Sequence, residues 1–181
     1  MVTPTGPIFW LFGLSGAGKS TLATVLISDL HARGVPVLAL DGDELRAGLC
    51  AGLGFSDAGR EENLRRAAEV ARLGSISGLC VVASFITPLA SHRQLVARIL
   101  RSQNLALVHV DASFEVCRER DTKGLYAQAK QGKVEQMTGL TSLFEPPAAA
   151  DFVIHTDKEP PSASSARLLG FALQRIAPGP S

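Results

Sequence analysis

Ile8-Phe-Trp-Leu-Phe12, followed directly by Gly13-Leu-Ser-Gly-Ala-Gly-Lys-Ser20, decides the fold. The first run is wholly apolar, as a strand buried on both faces requires. The second fits G-x-x-x-x-G-K-[ST]. Its glycines let backbone N–H groups turn inward around phosphate oxygens. The helix that follows offers its positive end to the same anion. Gly13, Leu14, Ser15, Gly16, Ala17, Gly18, Lys19, Ser20 and Thr21 are therefore the expected ATP-binding residues. Lys19 has the reach for the β and γ phosphates, and the Ser20 hydroxyl suits Mg²⁺.

Outward from this loop, apolar runs alternate with helical patterns. Lys19–Ala32 has helical spacing, with Leu22, Val25, Leu26 and Leu30 on one face. Gly34 stops it before a strand at Val35–Leu40. Glu61–Ser77 reads as a helix with Leu64, Ala67, Ala71 and Leu73 inward and Arg65, Glu69 and Arg72 outward. Leu79–Phe85, Leu105–Val110 and Asp151–His155 read as strands. Ser91–Ser102, Phe114–Arg120 and Ala163–Ile176 read as helices. This alternation predicts an α/β fold, a P-loop NTPase-type parallel β-sheet of about five strands sandwiched between helices. One domain is expected over 1–181. Asp121–Pro147 is too long for a plain connection, so a lid is expected over 121–147. Ala177–Ser181 reads as a frayed tail.

The 181 residues suit one domain, and 46% hydrophobic against 19% charged residues supply a core. A net charge of +1 gives no electrostatic footing for nucleic acid or a membrane surface, so an anionic substrate needs a local basic cluster. No apolar run nears the roughly 18 residues of a bilayer span. The first residues lack the basic region of a signal peptide. Cys50, Cys80 and Cys117 match no zinc spacing, and an odd count argues against a disulfide framework. A cytoplasmic protein with reduced thiols is expected.

A phosphate loop alone names no reaction. The short chain, and the lack of a strand ending in a hydrophobic-Asp-Glu pattern, favour a small-molecule kinase over a motor ATPase. Asp41 and Asp43 follow the second strand, and open α/β sheets place ligands at strand C-terminal ends. One of the pair suits ordering Mg²⁺ through its waters, the other accepting a proton from an attacking hydroxyl. Asp43 is also placed to cap a helix starting near Glu44. Arg46, Arg60 and Arg66 offer forks for phosphate or sulfate oxygens. Arg60 and Asn63 share a helix face, and Phe55 offers a face for a base. Ile86 and Thr87 end the third strand on the same crevice. In the lid, Lys123 suits neutralising charge on a transferring phosphoryl group. Arg120 and the Thr156–Asp157 region follow the later strands and suit the ATP adenine.

In order, G-L-S-G-A-G-K-S-T, D-G-D-x-x-R, L-G-F-S-D-A-x-R-x-E-N-L-R-R, S-F-I-T-P, D-x-K-G-L-Y and x-T-G-L span about Phe9 to Pro147. Together they resemble the adenylyl-sulfate (APS) kinases. The resemblance implies transfer of the ATP γ-phosphate to the 3′-hydroxyl of adenosine 5′-phosphosulfate, with Mg²⁺, a closing lid and, in many members, a homodimer. It implies catalytic positions at Lys19, Asp41, Asp43, Thr87 and Lys123. It implies acceptor contacts at Asp43, Arg46, Phe55, Arg60, Asn63, Ile86, Thr87, Lys123, Leu125 and Met137, with Phe55 stacking on the adenine. Four positions depart from the family pattern: Thr87 replaces Ser, Met137 replaces Phe, Gly59 replaces an acidic residue, and Gly139-Leu140-Thr141 drops a carboxylate. These departures leave two alternatives: a sister kinase acting on another small anionic nucleotide, and a non-catalytic ATP-binding module.

Overall fold

The computed structural model of the protein describes residues 5–121, 124 and 143–176. β1 (Ile8–Phe12) is buried throughout. It forms the middle of a sheet with β2 (Val37–Asp41), β3 (Cys80–Phe85), β4 (Leu105–Asp111) and β5 (Phe152–His155). The order is β2-β3-β1-β4-β5, and every neighbouring pair is parallel. The expected α/β sheet is thus what forms.

Side chains of β1 alternate between two cores. Phe9 and Leu11 meet Leu22, Leu26 and Leu30 of α1 (Lys19–His31). Ile8, Trp10 and Phe12 face the other way. α2 (Gly42–Ala47) and α3 (Asp57–Ile76) follow β2, and α4 (Ala90–Ile99) follows β3. Leu64, Ala67 and Ala71 of α3 and Val96 of α4 close that second core. α5 (Phe114–Arg120) and α6 (Pro161–Ile176) complete the chain order, and Leu168 and Ala172 of α6 pack beside α1. β1 has β3 on one side and β4 on the other. The strand order therefore reverses at β1, and the crevice for ligands opens at its C-terminal end.

Several expectations need correction. Val25 is 37% exposed, and Leu73 is 53% exposed. Gly74, not Leu73, packs against Leu38 and Val81, because the 67-71-74 step keeps to one helix face. α3 starts at Asp57, well before Glu61, because Ser56 caps it by accepting from the Gly59 N–H at 3.2 Å. β2 starts at Val37, since Pro36 has no N–H to donate. The other ends either coincide, as at Ile8–Phe12 and Phe114–Arg120, or differ by one to three residues. Most of the expected lid and the tail lie outside the described residues, as do Lys123, Leu125 and Met137. All three cysteines are buried free thiols. No described helix is long and apolar enough to cross a membrane.

His109 of β4 stacks between Phe12 at 5.1 Å and Phe144 at 6.1 Å. Burial lowers its pKa from 6.5; Asp111 opposes this, while Arg93 and His155 add to it. The unfolded chain then binds the proton more readily than the folded one. The stabilising contribution is complete above 6.5 and is lost as pH falls below it toward the folded pKa. His109→Phe keeps a stacked ring and removes the titration. Urea unfolding at about pH 7.5 and about pH 5.5 is expected to show a smaller acid loss in this variant. An undiminished loss would assign the effect elsewhere.

Candidate active site

Gly13–Ser20 leaves β1 and wraps into α1. Gly16 adopts φ 82° and lies so close to the Cys117 carbonyl that a Cβ would approach it to 2.7 Å. Only glycine fits there. α1 begins after Gly18 with no capping side chain and no acidic residue in its first turn, which leaves its N-terminus suited to an anion. Lys19 is 8% exposed and donates to the Leu14 carbonyl at 2.7 Å, folding back over the loop.

One carboxylate joins this loop to the next element. Asp41 Oδ2 accepts from the Ser20 hydroxyl at 3.1 Å, and Asp41 Oδ1 accepts from the Asp43 N–H at 2.9 Å. Asp41 is thereby the N-cap of α2. The expectation that Asp43 caps a helix near Glu44 is corrected: the helix starts at Gly42, and Asp43 lies in its first turn, lining the cleft. The Ser84 hydroxyl is 3.4 Å from that of Ser20, because β2 and β3 pair Asp41 with Ser84. Ser84 was not nominated from the sequence, although it stands inside S-F-I-T-P.

A cleft of about 650 Å³ runs from the phosphate loop across these residues. Its far wall carries Arg46, Phe55, Arg60 and Asn63. Arg46 donates to the Leu53 and Gly54 carbonyls at 3.0 and 3.1 Å and lies 4.5 Å from the Phe55 ring centroid. Arg60 donates to the Phe55 carbonyl at 2.8 Å, with its guanidinium 5.9 Å from the same ring. Burial, then the nearby Arg46 charge, lower the Arg60 pKa, and Asp57 partly offsets this. Asn63 is 5% exposed, and its Oδ1 has no hydrogen-bond partner among the described residues. Arg66, in contrast, pairs with Glu62 and the Leu49 carbonyl and is not among the lining residues.

Ile86 and Thr87 line the cleft as expected. The Thr87 hydroxyl, however, accepts from Trp10 Nε1 at 2.9 Å, and the residue is 1% exposed. That bond helps to hold the turn, and it uses the hydroxyl only as an acceptor, not its proton. Arg120 bridges the phosphate loop and the segment after β5, donating to the Gly16 carbonyl at 3.3 Å and the Thr156 carbonyl at 2.7 Å. The Thr156 hydroxyl donates to the Ala17 carbonyl at 2.7 Å.

A parallel sheet switching at β1, with a Lys-Ser phosphate loop at the switch, defines a P-loop NTPase-type nucleotide-binding protein. The family model for adenylylsulphate kinase matches residues 5–155. The adenylyl-sulfate kinase of Paraburkholderia xenovorans is 46% identical over 169 residues, covering 93% of this chain and 94% of that one. The Yersinia pestis adenylyl-sulfate kinase is 47% identical over 154 residues, 85% of this chain and 71% of that one. A Mycobacterium tuberculosis APS kinase, solved with AMPPNP and APS, superposes with a TM-score of 0.88 at 37% identity, covering 94% and 99% of the two chains. The chain belongs to the adenylyl-sulfate kinase family.

The Gly59 departure has a steric cause. A Cβ at Gly59 would lie 2.5 Å from the Gly54 carbonyl oxygen, the same oxygen that accepts from Arg46. Gly59→Asp is therefore expected to destabilise the protein by about 1–3 kcal/mol, despite the helix-dipole benefit of an acid there. A urea midpoint equal to that of the parent would show that the Gly54 loop yields freely.

Proposed function

We propose that this protein is an adenylyl-sulfate kinase, transferring the ATP γ-phosphate to the 3′-hydroxyl of adenosine 5′-phosphosulfate. The products are ADP and 3′-phosphoadenosine 5′-phosphosulfate. The observation that carries the proposal is one continuous cleft with Lys19 and Ser20 at one end and Asp43, Arg46, Phe55, Arg60 and Asn63 at the other. Donor phosphates and an anionic acceptor thus have adjoining seats.

Asp43 is the proposed base. Both oxygens of Asp41 already accept hydrogen bonds, from Ser20 and from the Asp43 N–H, so Asp41 is fixed as an anchor. The Asp43 carboxylate takes the proton from the acceptor hydroxyl as its oxygen bonds to the γ-phosphorus. The bond from the γ-phosphorus to the bridging oxygen breaks, and ADP leaves. Lys19 neutralises charge on the β and γ phosphates. Burial and then the Arg46 charge lower the Arg60 pKa, and a phosphosulfate beside the pair offsets both by placing negative charge next to them. The Asn63 Oδ1 is suited to accept from an acceptor N–H or O–H. Phe55, 58% exposed, offers its ring to the acceptor base. Arg120 and Thr156 border the donor base. Lys123, Leu125 and Met137 retain the roles that the family pattern gives them.

Mg²⁺ fits the hard oxygen donors of Ser20 and Asp41. Among the described residues no cluster of three or more His, Cys, Asp or Glu could hold a metal by itself, so the ion belongs with the nucleotide phosphates. When bound, it neutralises phosphate charge as transfer proceeds. A homodimer and a cytoplasmic location belong to the same proposal.

A coupled ADP-release assay with ATP, Mg²⁺ and APS, beside other nucleotides, tests it. Turnover specific to APS is expected. Turnover with a different nucleotide alone would point to a sister kinase, and silence with all acceptors to a binding module. Asp43→Asn is expected to slow transfer by about 10²–10⁴-fold with ATP affinity nearly intact. Lys19→Ala is expected to damage both affinity and rate. An unchanged rate in Asp43→Asn would reject the base assignment.

A further inference from the structure

Arg93 of α4 is 7% exposed and is not among the cleft-lining residues. Its Nη1 donates to the carbonyls of Thr87 at 3.2 Å and Pro88 at 3.0 Å, and its Nη2 donates to the Glu145 carbonyl at 3.0 Å. The guanidinium lies 5.4 Å from the Phe12 ring centroid, immediately before the phosphate loop. Glu145 completes the circuit. Its backbone N–H donates to the Pro88 carbonyl at 2.9 Å, and its Oε2 accepts from the Ala90 N–H at 2.6 Å. α4 has no side-chain cap at Leu89, so Glu145 supplies a capping acceptor from far along the chain.

The turn these contacts surround is strained. Thr87 has φ 43°, a backbone region rare for a β-branched residue. Such a conformation persists only where its surroundings over-determine it. Here the surroundings are the Arg93 fork on the Thr87 and Pro88 carbonyls, Trp10 on the Thr87 hydroxyl, and the Gly13 N–H donating to the Ile86 carbonyl at 3.2 Å.

We propose that Arg93 and Glu145 are positioning residues for phosphoryl transfer, holding the Ile86–Pro88 turn in register between the phosphate loop and the acceptor wall. The proposal rests on the acceptor reading given above. Neither residue touches a reacting group; each acts through the turn. A planar fork is suited because Nη1 takes the two turn carbonyls while Nη2 reaches the Glu145 carbonyl, a fixed split that a single lysine ammonium reproduces with less directional control.

Trp10 is the chain's single tryptophan, and its indole N–H is bonded to Thr87, so its emission reports on the turn. Glu145→Ala removes the acceptor for Ala90, whereas Glu145→Gln keeps a carbonyl oxygen there. In the full chain, Glu145→Ala is expected to shift Trp10 emission and raise the KM for APS about tenfold. AMPPNP affinity should change by less than about twofold. Glu145→Gln should recover emission and KM, and Arg93→Lys should resemble Glu145→Ala. Lowered thermal stability with unchanged emission and APS KM would overturn the proposal, as would equal losses for both nucleotides. Were the parent protein silent with APS, the functional reading would fail, and emission of Glu145→Ala against Glu145→Gln would still decide the coupling.

Discussion

The Asp41 carboxylate is the joint on which the site depends. One oxygen holds Ser20 of the phosphate loop, and the other caps the helix that carries Asp43 and Arg46. The sheet register brings this about, since β2 ends with Asp41 opposite Ser84, alongside the strand from which the phosphate loop departs. Donor and acceptor elements therefore share one anchor. A side chain with a single acceptor oxygen could not serve both, and without the cap the direction of α2 would be less firmly set.

A second constraint is electrostatic. The whole chain carries only +1, yet Lys19, Arg46, Arg60 and Arg120 line a single cleft. Two of these cations lie over one aromatic ring and hold neighbouring loop carbonyls. Charge is concentrated where an anion is to be bound, and a low overall charge avoids indiscriminate attraction. The Arg forks also pin the Leu53–Phe55 backbone, so the groups that suit the acceptor help to build its wall.

The departures from the family pattern look different once packing is known. Gly59 lets the Gly54 carbonyl lie against the first turn of α3, within reach of Arg46. Thr87 turns its hydroxyl toward Trp10 and presents almost no surface to the cleft. Both changes are absorbed by the scaffold, and neither removes a polar group from the acceptor wall.

Much of the fold was legible because it rests on local patterns. Continuous apolar runs marked strands buried on both faces, and helical spacing marked the segments between them. Misjudged faces at Val25 and Leu73, and the early start of α3 at Ser56, came from periodicity without a partner surface to fix its phase. The phosphate loop, Asp43, Arg46, Phe55, Arg60 and Asn63 were legible by residue type and spacing, and the fold does gather them. By itself the sequence determined the parallel α/β class, the phosphate loop and the candidate residues, since these follow from chemistry within a few positions of one chain segment. Only the tertiary structure decided that Asp41 is the anchor, that Thr87 serves Trp10, and that Arg93 and Glu145 grip the acceptor turn. Those are pairings between residues distant in sequence, and what sets them is sheet register and packing, which no local spacing encodes.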